Sequence, residues 1–214
     1  MNKEEQINLT KEFVHTQLEN EVSGHDWWHI VRVAEMAKRI AEHEKANLFI
    51  CEMAALLHDI ADEKLNDSEV EGLKKVTNWL ESIELDEEEA NVINDIISTM
   101  SFKGGDQPRL QTLEGRIVQD ADRLDAIGAI GIARTFAYAG AKGDIIYNPA
   151  ISPRVKMTKE EYRNGQSTAI NHFYEKLLKL KQLMNTDYAK AIAEERHAFM
   201  EEYLKMFFKE WEGK

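Results

Sequence analysis

Two histidines and two aspartates, spread over three segments of the chain, are of the types that can hold a divalent metal ion. His29 lies in the segment HDWWHIVRV, His58 and Asp59 follow the apolar run CEMAALL, and Asp122 lies in RIVQDADRLD. Two neutral nitrogens and two anionic carboxylates suit an octahedral Mn²⁺, Fe²⁺, Mg²⁺ or Ni²⁺ that keeps positions open for water. A closed structural zinc site would rather use thiolates, and the chain has only one cysteine. The pattern therefore indicates a catalytic metal site.

Polar neighbours could orient these four residues, because a ligating imidazole needs an outer hydrogen-bond partner. His25 and Asp26 open the segment that contains His29. Asp125 follows Asp122 by three positions, so on a helix the two side chains share a face. We expect His25, Asp26 and Asp125 to surround the ligands.

Plainer interpretations of the same residues stay open at this point. The pair His58-Asp59 could lie exposed at a helix end. The aspartates at positions 120, 122 and 125 could form ion pairs with Arg116 and Arg123. Aspartate is a poor residue for a helix interior, so three of them in six positions need one explanation or the other.

An all-α architecture is predicted from apolar residues that recur every three or four positions along nearly the whole chain. The third helix is apolar almost all round and should be the buried central one. Gly128 and Gly131 should let another helix backbone approach closely. The predicted helices span about 3–20, 26–44, 47–62, 68–82, 87–100, 112–125, 126–141, 159–184 and 187–211.

Two non-helical segments are candidates for closing over a substrate. One spans residues 140–157, holds two of the three prolines, and offers Tyr147 and Arg154. The other is the loop FKGG at 102–105.

Length and charge limit the classes of function. The chain has 214 residues, which fits one domain over 1–214 with a motif core at about 20–140 and C-terminal helices at 159–211. A formal charge of −12 argues against binding a nucleic-acid polymer, which needs a basic surface. The lone Cys51, the lack of an apolar leader and the lack of a long apolar run predict a cytoplasmic protein without a membrane partner. A homo-oligomer stays open.

The order His29, His58-Asp59, Asp122 resembles the H…HD…D motif of the HD-domain metal-dependent phosphohydrolase superfamily. The blocks GHDWWHIVRV, ALLHDIADEK and IVQDADRLDAIGAIGIAR are similar to bacterial HD proteins that act as nucleotide pyrophosphohydrolases. The resemblance implies a helical bundle in which these four residues bind one divalent metal, with Mn²⁺ as first choice. Guanosine tetraphosphate hydrolases of the superfamily carry HDxxED, whereas HDIADE has its two acids in reverse order, which does not favour that substrate.

The resulting hypothesis is hydrolysis of nucleoside triphosphates to monophosphate and pyrophosphate by a water that the metal activates. Asp62, one helical turn beyond His58, would be the base or orienting acid, unless it is a plain surface carboxylate. Lys64 and Arg123 could neutralise phosphate oxygens, or could be salt-bridge partners instead. The alternatives are a 5′-nucleotidase or phosphodiesterase of the same fold, and a nucleotide sensor without catalysis.

Overall fold

The computed structural model describes residues 1–19, 24–62, 65–100, 110–154 and 167–214. These residues form helices and no strand, which confirms the all-α prediction for the described part of the chain. The α-helices are α1 (Lys3–Gln17), α2 (Trp27–Glu44), α3 (Leu48–Leu57), α4 (Glu69–Ser82), α5 (Glu87–Met100), α6 (Leu113–Asp125), α7 (Gly128–Lys142), α8 (Ala169–His172), α9 (Leu178–Leu180) and α10 (Asp187–Trp211). A π-helical turn, Phe173–Leu177, joins α8 to α9, and a 3₁₀ turn, Lys181–Leu183, follows α9.

Contacts divide the chain into two compact units, Met1–Asp122 and Arg123–Lys214. The single domain over 1–214 therefore stays a prediction. None of the described helices is long and apolar enough to cross a bilayer.

The core of the first unit lies around α3. Every residue of this helix from Met53 to Leu57 is fully buried, because the segment is apolar on all sides, and α1, α2 and α5 pack against it. This confirms that α3 is the central helix. Cys51 is fully buried among these residues, and burial raises the pKa of its thiol to about 12, which fits an inert packing role.

A buried polar chain joins α1 to α4 in the same unit. The hydroxyl of Thr10 donates to the carbonyl of Gln6 at 2.8 Å and accepts from the indole nitrogen of Trp79 at 3.0 Å. The Gln6 amide donates to the carbonyl of Ile83 at 3.1 Å, just beyond the end of α4. Phe13 stacks on Trp79 with ring centroids 4.1 Å apart. These contacts fix α4, which packs beside the residues that follow α3.

The second unit is held by a buried ion pair between a loop and the π-helical turn. Arg154 donates three hydrogen bonds to the carboxylate of Glu175. Its backbone nitrogen and its Nε each lie 3.0 Å from Oε1, and its guanidinium Nη2 lies 2.7 Å from Oε2. Ser167 adds a hydroxyl hydrogen bond at 3.1 Å. Burial opposes ionisation of Glu175, but the hydrogen bonds and charge of Arg154 lower its pKa overall. Arg154 is therefore an anchor, and Tyr147 is likewise packed edge-on against Phe207, Phe208 and Trp211.

Several predicted boundaries were wrong, each for a local reason. The helix expected over 159–184 begins at Ala169, because Thr168 is extended and its side chain caps Asn171 N–H; residues 155–166 lie outside the described part. The first helix ends at Gln17 rather than near residue 20, and α3 ends at Leu57 rather than at residue 62. The segment expected to be non-helical from residue 140 is helical to Lys142, and the loop 102–105 lies outside the described residues.

Gly128 and Gly131 pack closely against a side chain and against their own chain, whereas the backbone of another helix was expected. Gly128 has φ +77°, and a Cβ there would meet the side chain of Arg196 at 2.9 Å. A Cβ at Gly131 would meet the carbonyl oxygen of Ala126 at 2.2 Å, within the same turn of chain. Both glycines therefore serve the start of α7.

The Thr10 hydrogen bonds give a first prediction for stability. Thr10→Val keeps the shape of the side chain but leaves the indole N–H of Trp79 without its acceptor, so it should cost about 1–2 kcal/mol of unfolding free energy. Urea unfolding measures the loss. Thr16→Val, an exposed change on the same helix, is the control and should stay within about 0.5 kcal/mol of wild type. Equal effects of the two changes would contradict the account.

The Arg154–Glu175 pair gives a second prediction. Arg154→Met leaves a buried carboxylate without its cation and should destabilise the protein by about 2–3 kcal/mol at neutral pH. Because the pKa of Glu175 is lowered in the folded protein, this contribution is present above the ordinary glutamate pKa and is lost as the pH falls through the lowered value. Urea unfolding at several pH values measures it. Lys205→Met breaks an exposed pair with Glu202 and should have little effect at any pH; a similar loss there would contradict the prediction.

Candidate metal centre

His29 is placed by the first turn of α2. Asp26 is the N-cap of this helix, with extended backbone, and its carboxylate accepts the backbone N–H of His29 at 2.8 Å. The cap fixes where the helix begins, so His29 points to the same side as the core residues Ile30 and Val33 and is completely buried. The imidazole therefore enters the interior as part of the apolar face of α2.

His58 and Asp59 are placed by the end of α3. His58 terminates the helix, and its Nδ1 lies 2.7 Å from the carbonyl oxygen of Ala55, which can only accept. Nδ1 must therefore carry a proton, so the lone pair of the neutral imidazole is on Nε2. Both side chains are buried at a helix end, between the apolar residues of α3 and the buried Ile60. The carbonyl of Ala55 thus sets the tautomer that a metal ligand requires.

Asp122 is placed by α6. The core side of this helix is made of Val118, Ala121 and Leu124, all fully buried. Asp122 lies beside them, and its side chain is 39% exposed, more than that of any other member of the cluster. The site is therefore closed on the histidine side and open towards Asp122.

The four side chains converge in the first unit. Nε2 of His29 lies 3.3 Å from Nε2 of His58, 3.4 Å from Oδ2 of Asp59 and 3.6 Å from Oδ1 of Asp122. Nε2 of His58 lies 3.4 Å from Oδ1 of Asp59 and 3.9 Å from Oδ1 of Asp122. Donors about 2.1 Å from an octahedral ion are about 3.0 Å apart when adjacent and about 4.2 Å apart when opposite. The observed separations lie between these values. Donor atoms within 4.8 Å of one another form two sets that share His29, one with His58 and Asp122 and the other with His25 and Asp59. The separations of both histidines from both aspartates are compatible with one ion between them.

The charges of the cluster also call for a cation. Burial opposes ionisation of Asp59, but the positive charges of protonated His58 and His25 and the hydrogen bonds of His25 and His29 outweigh it, so its pKa lies well below the usual value. A bound divalent cation would supply this positive charge instead and would leave Nε2 of His58 as a neutral donor. The donor set matches the nitrogen and oxygen preferences of Mn²⁺, Mg²⁺, Fe²⁺ and Ni²⁺.

His25 contacts Oδ2 of Asp59, the oxygen that also faces His29. Its Nδ1 lies 2.9 Å from Oδ2 of Asp59, and its side chain is 32% exposed. His25, His29 and Asp59 form a second set of donor atoms that lie within 4.8 Å of one another. The shared Asp59 hydrogen bond is the arrangement expected of a residue that orients a ligand.

The other predicted site residues of the first unit are placed as follows. Asp26 touches the cluster only through the backbone of His29. Asp62 is half-buried in a turn beyond α3, so the prediction that it lies one helical turn from His58 was wrong: the helix has already ended at Leu57. Lys64 lies outside the described residues.

The two predicted site residues of the second unit have partners in that unit. Asp125 receives a hydrogen bond from the guanidinium of Arg134 at 2.8 Å. Arg123 donates to the backbone carbonyl of Leu183. These contacts fasten the last turn of α6.

Sequence reasoning missed the contacts that aim the ligands. The Ala55 carbonyl acts through the backbone, so no residue type marks it; the only available signal was that His58 follows it by three positions at the end of a helix. It also missed Asn66 and Gly72, which hold the turn after Asp59. The lone glycine within the pattern EVEGLKKV was a usable signal, because glycine inside a helix calls for a packing reason.

Known proteins are similar in sequence to this chain over nearly its full length. A family model described as HD domain matches residues 27–127, which include all four donors. The crystal structure of an HD-superfamily hydrolase from Bacillus thuringiensis is 52% identical, covers 100% of both chains and has a TM-score of 0.79. A crystal structure from Lactobacillus plantarum is 44% identical, covers 99% of each chain and has a TM-score of 0.88.

A further relative carries a nucleotide. The crystal structure of Bacillus subtilis YpgQ in complex with ADP is 41% identical, covers 98% of this chain and 97% of that one, and has a TM-score of 0.79. The relatives and the converging H…HD…D side chains lead to one assignment. The chain belongs to the HD-domain superfamily of hydrolases.

Proposed function

We propose that this hydrolase is a divalent-metal-dependent phosphohydrolase of nucleotides that converts a nucleoside triphosphate and water to a nucleoside monophosphate and pyrophosphate. The oxygen of water bonds to the α-phosphorus, and the bond from that phosphorus to the bridging oxygen of the leaving pyrophosphate breaks. The observation that carries the proposal is the convergence of two imidazoles and two carboxylates from three helix segments. The ADP complex of Bacillus subtilis YpgQ supports a nucleotide as the substrate class.

His29, His58, Asp59 and Asp122 would hold the ion, with Mn²⁺ as first choice. When bound, a divalent ion supplies Lewis acidity and lowers the pKa of a water ligand. The protein supplies the orientation: the Ala55 carbonyl holds His58 in the ligating tautomer, and His25 holds Asp59 by Oδ2. The greater exposure of Asp122 leaves the approach for phosphate on that side of the cluster.

Asp62 is our candidate for the residue that accepts a proton from the attacking water. It follows the ligand pair by three positions, and its half-buried carboxylate is held on a hydrogen-bonded turn. Lys64 as a phosphate-neutralising cation stays a prediction. Arg123 in that role stays a prediction as well; its contact with the Leu183 carbonyl is not the salt bridge that the sequence left open.

The expected partner is a small nucleotide rather than a nucleic-acid polymer, because a formal charge of −12 repels an extended phosphate backbone. A single metal site can still bind a compact polyphosphate by reversing the local field. The cytoplasmic location and a homo-oligomer stay as the sequence left them.

Metal binding gives the third prediction. His58→Ala and Asp122→Ala each remove a ligand and should weaken Mn²⁺ binding at least 100-fold, while His25→Asn should weaken it about 10- to 100-fold by freeing Asp59. Isothermal titration calorimetry measures the affinity, and circular dichroism checks that the variants stay helical. His43→Ala, an exposed histidine on α2, is the control and should bind as wild type. Wild-type affinity in His58→Ala would remove the proposed ligand.

The reaction itself gives the fourth prediction. With Mn²⁺ and a panel of ribo- and deoxyribonucleoside triphosphates, the protein should release one pyrophosphate and one nucleoside monophosphate per substrate consumed. Ion-exchange chromatography and separate assays of pyrophosphate and orthophosphate measure this. Release of orthophosphate alone would replace the proposal by a nucleotidase, and saturable binding without turnover would replace it by a sensor.

A further inference from the structure

The turn that follows the ligand pair is held by backbone hydrogen bonds on both sides of Asp62. The amide of Ile60 donates to the Leu57 carbonyl, and the amide of Asp62 donates to the Asp59 carbonyl, both at 3.0 Å. The carbonyl of Asp62 accepts the amide of Leu65 at 3.0 Å. Asp62 is therefore held through both its backbone nitrogen and its backbone oxygen.

Asn66 closes this turn with its side chain. Its Nδ2 donates to the carbonyl of Ile60 at 2.7 Å and to the carbonyl of Asp62 at 2.9 Å. Both partners can only accept, so the amide nitrogen must face them, and both of its protons are used. One side chain thus ties together the two ends of the segment Ile60–Asp62.

Gly72 supports the same segment from α4. A Cβ at position 72 would lie 2.5 Å from the carbonyl oxygen of Ala61, 2.7 Å from its Cα and 2.8 Å from its carbonyl carbon. These are backbone atoms, which cannot rotate away as a long side chain can. Glycine is unfavourable inside a helix, so its presence in α4 is explained by this close packing on Ala61. Ala61 is thereby fixed between Ile60 and Asp62, the residues that Asn66 holds.

We propose that Asn66 and Gly72 are positioning residues that hold the carboxylate of Asp62 at a fixed separation from the ligand pair His58-Asp59. The inference rests on the proposed function, since it takes Asp62 as the group that accepts the proton. Neither residue touches the four metal donors in any described contact. Asp59 is held independently by His25 at 2.9 Å. The two residues should therefore affect the chemical step and leave metal affinity nearly unchanged.

A double-mutant cycle tests this directly and gives the fifth prediction. Asn66→Ala should lower kcat about 10- to 100-fold, because a proton-accepting carboxylate displaced by about 1 Å loses its alignment. In the background of Asp62→Asn the same change should lower kcat no further, since there is no proton acceptor left to misplace. The Mn²⁺ dissociation constant, measured by calorimetry, should stay within about threefold of wild type. Asn66→Gln, which keeps the amide but displaces it by one methylene, serves where the alanine variant does not fold.

Gly72→Ala should lower kcat in the same way, and the matched control is Gly140→Ala. Gly140 lies in α7, where an added Cβ would meet no atom within 4 Å, so kcat should stay at the wild-type value. Asn78→Ala, an exposed asparagine on α4, controls for Asn66→Ala. A wild-type kcat in Asn66→Ala, a further loss in the Asp62→Asn background, or Mn²⁺ binding weakened more than tenfold would each overturn the proposal.

Two substrates separate this proposal from the proposed function. Each variant is assayed with a nucleoside triphosphate and with bis(p-nitrophenyl) phosphate, a phosphodiester without base or sugar. Turnover of the phosphodiester alone would contradict the nucleotide assignment, while the cycle measured on it would still decide whether Asn66 acts through Asp62. Turnover of neither substrate would overturn both.

Discussion

Two imidazole nitrogens that each lie within 4 Å of a carboxylate oxygen of Asp59 and of Asp122 form the arrangement on which the rest of the structure depends. The proton on Nδ1 of His58 is committed to Ala55, so Nε2 presents a lone pair towards Nε2 of His29 at 3.3 Å. Asp59 stays anionic although it is buried. Such a cluster is costly to hold in an apolar interior without a compensating positive charge. A divalent cation at the common centre supplies that charge to all four groups at once.

The surrounding helices hold these four side chains in fixed positions. α3 is buried on all sides, and it ends where His58 and Asp59 are needed, so the apolar core itself determines how deep the site lies. Asp26 caps α2 three residues before His29, and the later helix α6 contributes Asp122. Because the ligands come from separate helices, an ion bound to the folded protein alone would also stabilise their packing by mass action. Metal binding and the folding stability of the first unit are then thermodynamically coupled.

Sequence patterns predicted most of this arrangement for identifiable reasons. The apolar periodicity located α2, α4, α5, α6 and α10 to within a few residues, because each has one continuous buried face. The four donors could be selected because ionisable residues stand at the edges of apolar runs. The periodicity failed where backbone hydrogen bonds decide: α3 stops at Leu57 although apolar residues continue to Ala61, and α8 starts at Ala169 because Thr168 caps it. Other contacts orient side chains through the backbone, as the Ala55 carbonyl does for His58 and two carbonyls do for Asn66. They depend on the local chain geometry and cannot be predicted from residue types.

The most direct test of the central claim is the position of the metal itself. Crystals of the protein grown with Mn²⁺ and measured near the manganese absorption edge locate the ion by its anomalous scattering. One strong peak is expected at about 2.0–2.4 Å from Nε2 of His29, Nε2 of His58 and a carboxylate oxygen of each of Asp59 and Asp122. No peak in the cluster, or a peak that leaves two of these four side chains beyond bonding distance, would contradict it.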